Sequence, residues 1–291
     1  MKSRLQPVIF GEVLFDCFPN GEQVLGGAPF NVAWHLQAFG DQPQLISSVG
    51  DDAGGHNIID AMQAWGMDIT SLQVDPLHQT GRVAIELIDN EPHYTITPDC
   101  AYDFIEATTT NKINTDGILY HGSLALRNLT SRKAFENLAT NPALSIFMDV
   151  NLRAPWYQLD ELTHWLSQAR WVKLNQHELA ILGGATGNMS HDMTQFQETY
   201  NLDLLIITHG EAGASARTRS GEIHSVAPVA QQPVVDTVGA GDAFTAVFLH
   251  GLISNWPIPK ILGSAQQFAS AVVGLRGATT HDPSFYDAFK H

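Results

Sequence analysis

The chain has 291 residues, of which 44% are hydrophobic and only 15% are charged, so it can bury a sizeable core. Its formal net charge of -15 disfavours a surface for nucleic acid or an anionic membrane, because both need a basic patch. Cys17 and Cys100 lie far apart in the sequence, which is typical of free thiols in a reducing compartment. No apolar run approaches membrane-spanning length, and we expect a cytoplasmic protein.

The first part of the chain predicts strands that alternate with helices, which indicates a parallel sheet. The predicted strands cover residues 7–10 and 45–49, and the predicted helices cover about 29–39 and 50–65. Asn31 lies one turn into the first helix, beside the glycine pair Gly26 and Gly27, which allows close backbone approach. That combination can bind polyols, although a glycine pair alone is a weak signal.

Two hairpins interrupt this alternation. Residues 13–25 read as two strands around a turn, and residues 81–97 read as two strands with no helix between them. Together they predict a small separate sheet that acts as a lid, and an edge extension of the main sheet is the alternative. Asp16 stands in the first hairpin among apolar residues, where it is either a solvent-facing carboxylate or a ligand.

The second half of the chain continues the α/β pattern. Its predicted strands cover residues 118–121, 144–149, 171–174, 204–208, 214–217 and 222–226, and its predicted helices cover about 128–140, 243–252 and 258–275. Asp149, Asn151 and Arg153 follow the end of one strand. Ligands gather at the carboxyl ends of parallel strands, so these three residues are candidates for a site, with loop capping as the alternative.

Asn175 and Glu178 begin the helix that follows strand 171–174. An Asn at the N-cap with a Glu three residues later forms a variant of the capping box, and this structural reading explains both residues. The functional alternative is a carboxylate that holds water molecules around Mg²⁺, an ion that keeps much of its hydration shell.

The most informative stretch is residues 236–244, with the sequence DTVGAGDAF. Glycines at a helix start leave backbone amides free to hold an anion at the positive end of the helix dipole. Asp242 would repel a phosphate there unless it takes a proton from a hydroxyl as a general base. The alternative is an acidic residue that merely suits the first helical turn.

Several nucleotide-binding and hydrolase signatures are missing from the sequence. It contains no G-x-x-x-x-G-K-[ST], no G-x-G-x-x-G and no G-x-S-x-G pattern. The 13 histidines include no pair at metal-ligand spacing around a glutamate. An anion cradle with a carboxylate and no P-loop therefore indicates phosphoryl transfer by another design.

Four motifs in order give the chain its family resemblance. Residues 236–244 fit the D-T-x-G-A-G-D signature of PfkB-type carbohydrate kinases, the ribokinase-like family, and residues 26–33 resemble its glycine-pair signature. Asn175-x-x-Glu178 matches the family's N-x-x-E, and Thr208-x-Gly210-x-x-Gly213 matches its T-x-G-x-x-G. The resemblance implies a single domain over residues 1–291 with a three-layer α/β fold, a mainly parallel central sheet and a small β-sheet lid.

The resemblance also implies roles for individual residues. The catalytic set would be the base Asp242 with an anion hole from Gly239, Ala240 and Gly241. The sugar would bind Glu12, Asp16, Gly27, Asn31 and Arg153. ATP would lie along Asn175, Thr208, Gly210 and Gly213, with Mg²⁺ held through water by Glu178. Asp236 and Thr237 match positions that lie near a monovalent cation in this family, for which K⁺ is the candidate. Lid sheets in this family sometimes pair into homodimers.

The substrate is less constrained than the chemistry. The patterns at Gly11-Glu12-x-x-x-Asp16, Gly122–Arg127 and Asp149-x-Asn151-x-Arg153 resemble the fructokinase branch, which implies phosphorylation of fructose to fructose 6-phosphate. Ketodeoxygluconate kinases share parts of this pattern, and Arg153 could equally meet a sugar-acid carboxylate. Ribose and nucleosides are further alternatives. A catalytically silent sugar-binding protein is the rival from another class, which the intact base and cradle disfavour.

Overall fold

The computed structural model describes residues 4–88, 91–107, 116–228 and 235–290. Within these ranges the strands form a nine-stranded sheet and a separate four-stranded sheet. The strands are β1 (Gln6–Phe10), β2 (Leu14–Cys17), β3 (Gln23–Gly26), β4 (Gln44–Gly50), β5 (Leu72–Asp75), β6 (Gly81–Ile88), β7 (Glu91–Ile96), β8 (Gly117–His121), β9 (Leu144–Asp149), β10 (Trp171–Asn175), β11 (Leu204–Thr208), β12 (Ala214–Thr218) and β13 (Ile223–Val226).

Helices cover both faces of the large sheet. They are α1 (Ala28–Ala38), α2 (Ala53–Ala64), α3 (Leu129–Ala139), α4 (Leu159–Gln168), α5 (Gln176–Gly183), α6 (Met189–Thr199), α7 (Ala240–Ile253) and α8 (Ile258–Val272). None of the helices in the described ranges is both long enough and apolar enough to cross a bilayer.

The large sheet has the order β13-β12-β11-β10-β9-β8-β1-β4-β5. Its strands from β11 to β5 run parallel, whereas β12 and β13 are added antiparallel at one edge. Helical crossovers connect most of the parallel strands, as parallel pairing requires. The predicted mainly parallel sheet is confirmed, and its strands carry their carboxyl ends to one edge.

Two hydrophobic clusters lie on opposite faces of the large sheet. Strand β1 shows the division, because Val8 and Phe10 belong to one cluster while Ile9 belongs to the other. Side chains alternate between the faces of a strand, so a run of apolar residues contributes to the hydrophobic clusters on both faces of the sheet. Helices α1, α2, α7 and α8 contribute to the cluster with Ile9, and α3 to α6 contribute to the other. The fold therefore has three layers.

The four-stranded sheet has the order β3-β2-β6-β7 and is separate from the large sheet. Strands β2 and β3 form one antiparallel hairpin, β6 and β7 form another, and β2 pairs with β6 in parallel. The predicted small sheet from residues 13–25 and 81–97 is confirmed, and the edge-extension alternative is wrong.

Among the α-helices and strands of the described residues, the sequence patterns missed three and overextended one. Helices α4 and α6 and the edge strand β5 were not predicted, and β5 has only four residues, none of them buried. The last helix ends at Val272, not at Leu275 as predicted. Beyond Val272 the backbone tightens, with Leu275 N donating to the Val272 carbonyl in an i to i−3 bond of 2.8 Å.

Candidate active site

A cleft of about 790 Å³ lies between the carboxyl ends of the large sheet and the four-stranded sheet. We call its two walls the floor and the roof. The floor is formed by residues at the ends of β9, β10 and β11 and at the start of α7, namely Asp149, Lys173, Asn175, Thr208, Gly239, Gly241 and Asp242. The roof is formed by residues of the four-stranded sheet, namely Leu14, Asp16, Val24, Val83, Ile85, Tyr94 and Ile96.

The glycine turn that starts α7 lies in the floor. Gly239 is the N-cap of α7 with a φ of 81°, and a Cβ there would lie 2.2 Å from Ala278 Cβ. Only glycine therefore fits this position without displacing the neighbouring segment. The amides of Gly241 and Asp242 occupy the first turn, where a helix has no internal acceptors for them, whereas Ala240 N donates to the Thr237 carbonyl at 3.4 Å. The predicted anion cradle thus has the backbone conformation that it needs.

Asp242 faces the cleft from the first turn of α7 and meets a residue far away in the sequence. Asn31 Nδ2 donates a hydrogen bond of 2.8 Å to Asp242 Oδ2. Burial raises the pKa of Asp242 to about 6; Asp149 raises it further, while Asn31, Lys173 and Arg153 oppose the shift. A carboxylate with a pKa near neutrality, held in place by an amide, is suited to accept a proton from a hydroxyl.

Two further carboxyl groups approach the cleft, Glu12 from the segment between β1 and β2 and Asp16 from β2 of the roof. Glu12 is only 3% exposed, and its Oε2 has no hydrogen-bond partner among the described residues. Burial raises the pKa of Glu12 to about 7, and Arg153 opposes this shift. Burial also raises the pKa of Asp16 to about 6, with Asp236 adding to the shift. Both groups can therefore hydrogen-bond a polar ligand in the cleft.

The second glycine of the pair, Gly27, lies against the loop that carries Glu12. Its φ is 108°, and a Cβ at this position would lie 2.7 Å from the Glu12 carbonyl oxygen. The close backbone approach expected from the sequence is present. It brings the start of α1, and with it Asn31, to the inner end of the cleft.

Asp149, Asn151 and Arg153 all line the cleft at the end of β9, as predicted. Asp149 Oδ2 accepts a hydrogen bond of 2.7 Å from Lys173 Nζ. The hydroxyl of Thr245 lies 2.9 Å from the same oxygen and 2.9 Å from the carbonyl oxygen of Gly241, and it can donate to either. Arg153 is exposed and gives the cleft a cationic group that a ligand can reach.

Asn175 and Glu178 line the cleft and also form the predicted capping box. Asn175 Oδ1 accepts from Glu178 N at 2.9 Å, and Glu178 Oε2 accepts from Asn175 N at 2.8 Å. Glu178 Oε1 accepts from Leu152 N at 2.8 Å, so two amides fix the carboxylate. Burial raises the pKa of Glu178, and a nearby divalent cation would favour its ionised form.

No group of three or more His, Cys, Asp and Glu in the described ranges could hold a metal ion. Magnesium usually keeps several waters and is bound through one or two carboxylates and substrate phosphates. Glu178, fixed at the cleft wall with lone pairs still able to accept from water, fits an ion held in that manner. The residues present therefore suit Mg²⁺ better as a partner of a bound nucleotide than as a resident ion.

Asp236, Thr237 and Thr208 also line the cleft. The two carboxylate oxygens of Asp236 accept hydrogen bonds from Val238 N at 3.0 Å and Gly277 N at 3.2 Å. Asp236 thus ties the glycine turn to the segment after α8. The contacts describe a structural role, and its predicted place beside a monovalent cation stays a prediction.

Three predicted residues lie outside the cleft lining, namely Ala240, Gly210 and Gly213. Gly213 has a φ of 95°, and a Cβ there would lie 2.1 Å from the Val226 carbonyl oxygen, so packing against β13 already explains this glycine.

Arg127, part of the fructokinase-like pattern, also lies away from the lining. Its guanidinium donates to Asp103 with both Nε and Nη2, at 2.7 Å each, and stacks over the Trp156 ring.

Sequence reasoning missed Lys173 and the segment 276–278, which all line the cleft. A lysine among the apolar residues 171–174 of β10 was a signal for the first, because such a charge needs a partner when it is buried. Nothing local identified the second. Its contacts with Asp236 and Gly239 arise only when the end of α8 packs beside the glycine turn.

Comparison with known proteins agrees with the motifs. The sequence profile of the pfkB family carbohydrate kinases matches residues 14–284. The chain is 30% identical to the fructokinase of Escherichia coli in an alignment that covers 94% of this chain and 95% of the relative. It is 26% identical to the 5-dehydro-2-deoxygluconokinase of Bacillus subtilis, covering 89% and 84%. It is 27% identical to the aminoimidazole riboside kinase of Salmonella typhimurium, covering 97% and 93%.

A solved structure supports the fold assignment. The fructokinase of Vibrio cholerae O395 superposes with a TM-score of 0.86 over the full length of both chains, at 23% sequence identity. At this identity the likeness concerns the fold, which is the ribokinase-like arrangement of a large sheet with helices and a small separate sheet.

Proposed function

This chain belongs to the pfkB family of carbohydrate kinases, and we propose that it transfers the γ-phosphate of ATP to a hydroxyl of fructose, giving fructose 6-phosphate. The observation that carries the proposal is the position of Asp242. Its carboxylate faces the cleft from the first turn of α7, beside an anion cradle, with Asn31 Nδ2 2.8 Å away. A base and an anion site are what this transfer needs.

In the proposed reaction the sugar hydroxyl lies next to Asp242 and attacks the γ-phosphorus of ATP. The hydroxyl proton passes to Asp242, and a new bond forms between the sugar oxygen and phosphorus. The bond from phosphorus to the bridging oxygen breaks, and its electrons leave with ADP. The amides of Gly239, Ala240 and Gly241 face the developing negative charge, where fixed dipoles act most strongly.

The remaining predicted residues take supporting roles in this proposal. Glu12, Asp16, Gly27, Asn31 and Arg153 surround the sugar, and Asn175, Thr208, Gly210 and Gly213 follow the nucleotide. Glu178 would hold Mg²⁺ through water, and the ion would offset charge on the phosphates. Asp16 of the roof and Asn31, which contacts Asp242 of the floor, both line the cleft, and this supports the sugar site. The role of K⁺ at Asp236 and Thr237, the homodimer and the cytoplasmic location stay predictions.

The choice of fructose is supported by the E. coli relative and by the residue patterns at Glu12 and Asp149. A keto sugar acid is the second candidate. It is favoured by the exposed guanidinium of Arg153 in the cleft, which could pair with a substrate carboxylate, and by the B. subtilis relative.

A coupled assay of ADP release distinguishes these substrates. The purified protein is supplied with ATP, Mg²⁺ and one acceptor from a panel of fructose, other hexoses, ribose, 2-keto-3-deoxygluconate, 5-dehydro-2-deoxygluconate and nucleosides. We expect the highest kcat/KM with fructose. Activity on a sugar acid with none on fructose would reverse the order of the two candidates. If none of the acceptors in the panel supported ADP release, the proposal would be contradicted.

A further inference from the structure

Lys173 is a buried cation that the mechanism above does not use. Lys173 lies on β10, two residues before Asn175. It is only 6% exposed, and it lines the cleft. The glycine turn approaches it closely, because a Cβ built on Gly241 would lie 3.6 Å from Lys173 Nζ. The ammonium group therefore lies at the edge of the anion cradle, beneath the first turn of α7.

Two buried side chains hold this ammonium group in position. Asp149, which is 2% exposed, accepts its hydrogen bond, and Thr245, which is 0% exposed, lies 2.9 Å from the same Asp149 oxygen. Thr245 is on α7, one turn after Gly241, so the chain from Thr245 through Asp149 to Lys173 connects the cradle helix with two strands of the large sheet. Such a contact fixes the distance between the charge and the cradle.

The ammonium group retains hydrogen-bonding capacity toward the cleft. Lysine has three N–H donors, and within the described ranges Lys173 donates one hydrogen bond, to Asp149. A second cation–carboxylate pair with buried side chains, Arg127 with Asp103, is arranged differently. Arg127 also donates to Thr97 O and Tyr102 Oη, and it lies away from the cleft lining. Arg127 Nε and Nη2 are thus engaged by protein groups away from the cleft, and its Nη1 has no partner among the described residues. Lys173 differs because its ammonium group lines the cleft, where a ligand can reach it.

We propose that Lys173 is a catalytic residue that donates a hydrogen bond to an oxygen of the phosphoryl group during its transfer, with Asp149 and Thr245 as positioning residues. The inference rests on the proposed function. Negative charge spreads over the phosphoryl oxygens in the transition state, and a cation preorganised in a dry site stabilises it there. The proton on Lys173 stays on nitrogen throughout, since the hydroxyl proton goes to Asp242.

The first experiment removes the ammonium charge of Lys173 and keeps an unbranched apolar side chain. Lys173→Met should lower kcat by about 10²–10³-fold, which is the usual cost of one transition-state donor, and should change KM for the sugar by less than about threefold. Lys260→Met is the matched control, because Lys260 is exposed at the start of α8 and contacts the Trp256 ring away from the cleft. A kcat for Lys173→Met equal to that of the control would overturn the proposal.

Loss of Lys173 leaves Asp149 as a buried charge with one fewer partner, which can unfold the protein. The double variant Lys173→Met with Asp149→Asn removes both charges and keeps similar volumes. A folded double variant with the same deficit in kcat supports the proposal. A folded double variant with wild-type kcat overturns it, because the pair would then serve only stability.

A binding measurement separates this inference from the proposed function. ADP with aluminium fluoride mimics the transferring phosphoryl group, and its binding is measured by calorimetry with and without fructose, beside ADP alone. In Lys173→Met the fluoride complex should lose its extra affinity over ADP while ADP still binds within about threefold. Equal extra affinity in both proteins contradicts the role of Lys173. If the wild-type protein phosphorylates no acceptor, the proposed function is contradicted, whatever the result of the fluoride experiment.

Discussion

The floor and the roof of the cleft are built from different chemistry. The floor carries charges at strand ends and at the start of α7, among them Asp149, Lys173 and Asp242. The roof presents mainly apolar side chains, with Asp16 as its carboxylate among the described lining residues. In the proposed function the two walls therefore have different roles. Fixed charges at the floor suit bond making and breaking, whereas an apolar roof suits water exclusion and substrate selection.

The origin of the difference is geometric. Loops and helix N-termini follow the carboxyl ends of parallel strands, and the side chains and free amides of many elements converge there. A sheet face presents every second residue instead. On β2, Leu14 and Asp16 line the cleft while Phe15 packs in a hydrophobic cluster of the core. A single polar residue in such a row becomes a specific contact on an otherwise apolar surface.

The strongest test of the floor is Asp242→Asn, which keeps the shape and removes the base. We expect kcat to fall by about 10²–10⁴-fold with the KM for the sugar nearly unchanged. Steady-state kinetics with a coupled ADP assay measures both. Wild-type turnover in this variant would remove Asp242 from the mechanism.

The same residue predicts the pH dependence of the wild-type enzyme. In the proposed mechanism Asp242 acts only when it is ionised. Its pKa is about 6, so kcat/KM should rise with pH up to about 6 and level off above it. A level profile down to pH 4.5 would contradict this assignment.

Glu12 lies at the seam between the two walls, and its variant should change stability. The folded protein binds a proton at Glu12 more tightly than the unfolded chain, because burial raises the pKa from 4.5 to about 7. The ionised carboxylate therefore destabilises the folded state above about pH 7, and this cost disappears below about pH 4.5. Glu12→Gln should raise the free energy of unfolding at pH 8 by about 3 kcal/mol, since one pKa unit corresponds to about 1.4 kcal/mol.

Urea unfolding at pH 8 and pH 4 measures this effect. Glu136→Gln, on the exposed face of α3, is the matched control and should show no gain at either pH. A Glu12→Gln protein that is less stable than wild type at pH 8 would show that a contact of the ionised carboxylate outweighs its burial.

The smallest expected effect concerns the roof. Asp16→Asn should raise the KM for the sugar by about 10–100-fold, the usual cost of losing a hydrogen bond to a charged group, and leave kcat within a few-fold. Glu86→Gln, which is exposed on β6, is the control on the same sheet. If Asp16→Asn instead lowers kcat and leaves KM unchanged, the division between floor and roof is wrong.

Local patterns carried much of the structure. Capping geometry at Asn175 and Glu178, the two hairpins and the alternation of strands and helices depend on residues only a few positions apart, and all of them are present. Helices α4 and α6 were overlooked although their apolar residues recur at helical spacing, at Leu162, Trp165 and Leu166 in α4 and at Met189, Met193 and Phe196 in α6. The buried residues of α4 are Leu162, Trp165 and Leu166, which pack against a core formed by distant strands.

The glycine turn, the acid that follows it and the order of most of the elements follow from the amino-acid sequence alone, because turn conformation and strand alternation are properties of short segments. Which side chains contact one another depends on tertiary packing. Asn31 contacts Asp242 across 211 positions of sequence, and Lys173 lies under Gly241. Such contacts depend on how the layers pack, and neither residue's immediate neighbours in the chain encode the identity of its partner.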